Sequence, residues 1–250
     1  LCAESGLRLI EDTAQAVGAS FRGQSLGTFG DLGCYSFDPV KTITCGEGGA
    51  VVTDDEDLYH RAEHYADHGH DHVGSDRGAE GHPILGTNYR ISELGAAVGL
   101  AQLRKLDWIL ETQRKNKSRL REAFASCGEV TFREIPDPEG DSATFLSVFA
   151  PDEDTARAWT RALADAHVPG CFYWYDNNWH YPRGWEHLKA MRTPGLSPVT
   201  LLDPPPDFSA MDIEQSDRIM SRTISMLVKL SWTDSELGDI QDRIRKALEG

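Results

Sequence analysis

The sequence is short of positive charge, of paired cysteines and of long apolar runs. Its 25 Lys and Arg stand against 40 Asp and Glu, a formal net charge of −15. That balance argues against a nucleic-acid partner and against an anionic membrane surface. It leaves room for a small anionic ligand, because one phosphate is held by local donors and not by net charge. The five cysteines (Cys2, Cys34, Cys45, Cys127 and Cys171) are odd in number and scattered, with no C-x-x-C pair. A disulfide scaffold or thiolate zinc site is therefore not expected, and a reducing cytoplasm is the expected compartment. No apolar run approaches the ~20 residues of a membrane span. No internal repeat or low-complexity tract is present. What remains is a chain of 250 residues with an ordinary 40% of hydrophobic residues, enough for a substantial core.

The stretch 33–53 carries the most information. Cys34 to Phe37 is a short β-prone run broken by Asp38-Pro39, and Lys41 follows on a loop beyond the strand end. Gly46, Gly48 and Gly49 lead back into a second strand at Ala50-Val51-Val52 and let the backbone pass close to whatever the lysine touches. A surface lysine in a β-hairpin is the competing reading of this stretch alone. Upstream, Leu7 to Asp12 reads as a strand ending in two acids, with Gln15 three residues on. A strand-end carboxylate, a nearby amide, a hydroxyl at Ser36 and an amine at Lys41 are the groups that pyridoxal phosphate needs. The acid keeps the pyridine nitrogen protonated, the amine forms a Schiff base and the hydroxyl meets the phosphate.

Three segments, Glu11-Asp12-x-Ala14-Gln15, Gly33-Cys34-Tyr35-Ser36-Phe37-x-x-x-Lys41 and Gly46-x-Gly48-Gly49-Ala50, resemble the DegT/DnrJ-type sugar aminotransferases. Gly86-x-Asn88-Tyr89-Arg90-Ile91-Ser92-Glu93 extends the likeness. Asp67 to His72, Phe172 to Tyr175, Asn177 to Tyr181 and Ser221 to Ser225 are similar to the subgroup making 8-amino-3,8-dideoxy-octulosonate. The resemblance implies an α/β chain: part of a fold-type I large domain, with a mostly parallel sheet and helices, plus a smaller α+β C-terminal domain. It implies Lys41 as the catalytic amine that binds pyridoxal 5'-phosphate and shuttles a proton. Asp12 is expected on the pyridinium nitrogen, Gln15 on the ring and Ser36 on the phosphate. Asn88 is expected to reach the phosphate of a partner subunit, giving a homodimer with shared sites. His68, His70, Arg90, Tyr173, Trp179, His180 and Arg222 are the candidates for binding a sugar acid and an amino donor such as glutamate. The family's large domain begins upstream, with a phosphate turn and a ring-stacking aromatic, so the chain is expected to be N-terminally truncated.

Local patterns fill in the rest. Phe21 to Gly27 reads as a hairpin turning at Gly23. Thr53 with Glu56 makes a capping box for a helix to about His68. A long helical region starts near Ser92, and its polar part, Gln113 to Arg121, reads as a solvated bridge between domains 1–112 and 113–250. Strands are expected at Val130–Ile135, Phe145–Phe149, Cys171–Tyr175 and Ile224–Leu230. Helices are expected at Glu153–Ala166 and, capped by Thr233 and Glu236, to Leu248. Two readings compete with the aminotransferase. Six of nine histidines fall between 60 and 82, with His60, His64 and His68 on one helix face, as a zinc hydrolase could use. No H-E-x-x-H accompanies them, and no metal is expected. The other rival is a truncated, catalytically inactive member of the family.

Overall fold

The structure, a computed structural model, describes residues 1–75, 78–177, 179 and 181–249. It divides into two compact units, Leu1–Arg114 with Ile135–Ser142, and Lys115–Glu134 with Ala143–Gly250.

The first unit is built on a three-stranded sheet of order β1-β4-β5. Strand β1 (Ile10–Asp12) runs parallel to β4 (Leu32–Ser36), which runs antiparallel to β5 (Gly49–Val52). Between β1 and β4 a small hairpin pairs β2 (Ser20–Phe21) with β3 (Gln24–Ser25). Its two-residue turn, Arg22-Gly23, has both φ angles positive, the geometry that matches strand twist and that favours Gly. Helix α1 (Glu56–Ala66) follows β5. The expected cap is displaced by two residues: Asp55, not Thr53, accepts the N–H of Leu58. Thr53 is drawn off by the sheet, donating its hydroxyl to the Asp31 carbonyl at 2.6 Å. The helix ends at Ala66, short of His68, which sits at φ 57°.

The long helical region is two helices, α2 (Glu93–Leu103, capped by Ser92) and α3 (Leu106–Ala125). Helix α2 is apolar on all sides, yet none of its residues is buried. Helix α3 enters both units. In the first, its Leu106 and Leu110 pack so closely on Gly18 that a Cβ there would lie 2.8 Å from Leu110.

The second unit holds a four-stranded antiparallel sheet of order β6-β7-β9-β8. Its strands are β6 (Thr131–Phe132), β7 (Phe145–Phe149), β8 (Cys171–Tyr173) and β9 (Thr223–Leu227). Helix α4 (Glu153–Asp165) comes between β7 and β8. The irregular 174–222 region contains the single turn α5 (Glu186–Lys189) and α6 (Glu214–Met220), the latter not anticipated. Helix α7 (Asp234–Leu248) closes the unit, with both halves of the Thr233–Glu236 capping box formed. Leu120, Phe124, Leu146, Val148, Leu163, Ile224, Met226, Leu237 and Ile244 make a core from which water is excluded. The polar part of α3 is solvated on one side only, where Arg114, Lys115, Ser118 and Arg121 are exposed. Gln113, Asn116 and Lys117 are all buried, and the Asn116 amide donates to the Lys229 carbonyl at 2.9 Å.

Candidate active site

Strand alternation separates the two acids of Glu11-Asp12. In the parallel pair, Glu11 faces Gly33 and Asp12 faces Cys34, and registered partners project to the same side. Glu11 therefore shares a face with Tyr35, and Asp12 shares the other with Cys34 and Ser36. The Glu11 carboxylate is fully engaged, accepting the N–H groups of Gly27, Phe29 and Gly30 at 2.6–2.7 Å. Burial pushes its carboxyl up, but these three donors outweigh burial and hold it below its ordinary value. Tyr35 on the same face donates to the Leu26 carbonyl at 2.6 Å, and burial raises its phenol. One acid thus fastens the 26–30 loop. The other, Asp12, is exposed at the strand end, where its Oδ1 accepts the Ala14 N–H at 3.1 Å.

The lysine loop is a closed hairpin excursion between β4 and β5. Its neck is tied by Cys45 N–H to Phe37 O at 3.0 Å and Phe37 N–H to Gly48 O at 2.9 Å. Buried Ile43 anchors it. Asp38 shapes the tip: its carbonyl accepts the Lys41 N–H at 3.2 Å and its carboxylate accepts the Val40 N–H at 2.8 Å. The Lys41 side chain is only 17% exposed, with Nζ 3.6 Å from the Asp38 carboxylate. Ser36, half-buried, ends β4 just before this turn. Opposite it, Gly49 approaches so closely that a Cβ would lie 2.6 Å from the Tyr35 carbonyl oxygen. A strand-edge carboxylate, a hydroxyl, a turn-borne amine and a side-chain-free glycine wall fit the ring nitrogen, phosphate and aldehyde of pyridoxal phosphate. Gln15 is exposed in the turn after Asp12.

Asn88 lies at the end of a long return loop, bridged to Asp67 in antiparallel fashion. Its amide oxygen accepts from the backbone and Nε of Arg90, both at 3.3 Å, while Arg90 reaches the Asp67 carboxylate at 3.1 Å. Arg90 thus has a carboxylate from its own chain. His68 is exposed, and His70 Nδ1 meets Glu80 at 2.7 Å. Among the second-unit candidates, the Tyr173 hydroxyl donates to the Ser221 carbonyl at 2.8 Å, and burial pushes its phenol up to about 12. That hydroxyl is engaged by the chain's own backbone. Trp179 is 65% exposed, whereas His180 lies outside the described residues. Arg222 makes no ion pair among the described residues; it donates to the Pro151 carbonyl at 3.3 Å. Its Nε is buried without a hydrogen-bond partner, beside a cavity of about 520 Å³ that it lines with Arg218, Asp152 and Glu153.

A profile of the DegT/DnrJ/EryC1/StrS aminotransferase family matches residues 1–195. The GDP-perosamine synthase of Escherichia coli O157:H7 is 42% identical over 115 residues, which is 46% of this chain and 30% of that protein. The L-glutamine:scyllo-inosose aminotransferase of Streptomyces griseus is 36% identical over 167 residues, 64% of this chain and 39% of that protein. Among solved structures, an aminotransferase from Psychrobacter cryohalolentis superposes with a TM-score of 0.78 at 24% identity, covering 100% of this chain and 64% of that one. The matched portion is less than two fifths of either curated relative and less than two thirds of the solved structure.

Proposed function

The chain belongs to the DegT/DnrJ/EryC1/StrS aminotransferase family, and on that footing we propose that it carries the lysine half of a pyridoxal-phosphate-dependent sugar aminotransferase. The reaction moves an amino group from glutamate to an oxo-sugar, the C8 aldehyde of a 3,8-dideoxy-octulosonate, for a bacterial lipopolysaccharide or other surface polysaccharide. The cytoplasm is the compartment for it, a reading that the five free cysteines support.

The observation that carries this reading is the single sheet edge on which parallel β1 and β4 both end, Asp12 on one and Ser36 on the other, with the Lys41 turn next in the chain. When bound, the cofactor supplies an electron sink for the carbanion formed at the amino-bearing carbon. Lys41 Nζ would hold the cofactor at its aldehyde carbon and would be the amine that moves a proton at the substrate carbon. Asp12 Oδ2 keeps a proton on the ring nitrogen. Ser36 donates its hydroxyl to the phosphate, and Gln15 sits against the ring. Asn88 serves the phosphate of a second copy of the chain. Helix α2 supports that last point: Leu94 (82% exposed), Val98, Leu100 and Leu103 stand open on a helix apolar all round, which is the composition of a covered element. The test is transfer of isotopic nitrogen from labelled glutamate to the 8-oxo sugar acid. Transfer that vanishes in Lys41→Ala supports the proposal, and transfer that survives in that variant overturns it.

A further inference from the structure

Helix α1 carries a feature that aminotransfer leaves unused. His60-Arg61-Ala62-Glu63-His64 is an H-x-x-E-H run, the reverse order of the more familiar H-E-x-x-H, and it too sets two imidazoles one helical turn apart. In the folded chain the ligand atoms of His60, Glu63 and His64 lie within 4.8 Å of one another. The two rings stack at 5.9 Å with 26° between their planes, and His60 Nδ1 is 3.4 Å from the Glu63 carboxylate. Tetrahedral ligands about 2.0–2.1 Å from zinc sit about 3.3 Å apart, so side-chain rotations of about 1 Å would close the three on one ion.

Charge favours a cation there. Glu56 lies 3.9 Å from His60 Nε2. The last turn of a helix presents the negative end of its dipole, which adds to the attraction.

We propose that His60, Glu63 and His64 bind a zinc-class divalent ion, with water completing the coordination. Imidazole and carboxylate donors suit such ions. Half-exposed on a helix surface, the site is a staple for α1 and not a hydrolytic centre. It acts on the functional region through the helix end, because Asp67, the C-terminal cap of α1, bridges to Asn88 and pairs with Arg90.

The experiment uses the full chain without pyridoxal phosphate and titrates Zn²⁺ against a chromogenic chelator. One zinc per chain is expected. The His60→Ala/His64→Ala double variant should bind about tenfold more weakly or worse, with Glu63→Gln also weakened. His70→Ala/His72→Ala/His82→Ala should retain the site. Zinc should raise the thermal midpoint of the parent and of the loop variant, but not of the double variant. No zinc binding by the parent, equal binding by the double variant, or loss of binding in the loop variant overturns the proposal. None of these readouts involves Lys41, so the zinc site and the aminotransferase reading fail separately.

Discussion

Asp12 and Ser36 project from the same face of one sheet, on neighbouring parallel strands whose ends share an edge. Asp12 is in register with Cys34, two residues before Ser36. Adjacent-strand spacing and strand rise put their Cα atoms about 8 Å apart. In the proposed function they have separable tasks, ring nitrogen for Asp12 and phosphate for Ser36. Asp12→Asn should lower amino transfer on the order of a hundredfold or more, as for loss of one electrostatic partner of a reacting group, while covalent capture at Lys41 persists. Ser36→Ala should instead weaken cofactor binding by about ten- to a hundredfold, the size of one hydrogen bond to a charged group. Rate measurements at saturating cofactor, set beside cofactor titrations, separate the two.

Glu11, next to Asp12 in the chain but on the opposite face, should behave as a structural acid. Its three backbone donors lower its folded-state carboxyl below the ordinary value of 4.5. A depressed carboxyl contributes stability that is present above about pH 4.5 and is lost as pH falls through the lower folded-state value. Glu11→Gln should cost about 1–3 kcal/mol at neutral pH and flatten that part of the acid-unfolding profile. Urea unfolding at pH 7 and at pH 3 to 4 checks both signs.

The same face has no room beneath Gly33. A methyl group there would run into the carbonyl oxygen of Gly27, in the loop that Glu11 fastens. Gly33→Ala should cost about 2–3 kcal/mol or more, whereas Gly195→Ala, with nothing near its Cβ, should fall within about 0.5 kcal/mol of the parent. Paired urea melts give the comparison.

What the sequence disclosed and what it hid follow from range. The Thr233–Glu236 box is a local motif, and it forms as read. Thr53 carried the same local signature, but the Asp31 carbonyl, 22 residues away in the chain, takes its hydroxyl and Asp55 becomes the cap. The break between α2 and α3 at Arg104-Lys105 has neither Pro nor Gly to announce it. Burial of Asn116 depends on the Lys229 carbonyl, a partner no periodicity reveals. At the site, the Asp38-Pro39 break and the glycine return pointed to the lysine loop because turn chemistry is local. The division of labour between Glu11 and Asp12 is also written in strand alternation, but only the register with β4 shows which face is occupied. The H-x-x-E-H run lay in plain view among the histidines; a search for H-E-x-x-H alone passes over it.

Tyr173 offers a check on the second unit. Its hydroxyl bonds the Ser221 carbonyl, and the Arg157 guanidinium lies 5.0 Å from the centre of its ring. Tyr173→Phe should cost about 1 kcal/mol of stability and leave the KM for sugar unchanged. A raised KM with unaltered stability would return this residue to the substrate.

The most direct measurement of the central claim is chemical. The protein is mixed with pyridoxal phosphate, reduced with borohydride, digested and mapped by mass spectrometry. The account predicts one pyridoxyl adduct, on Lys41, absent from Lys41→Ala. An adduct spread over several surface lysines, with Lys41 unmodified, would contradict it.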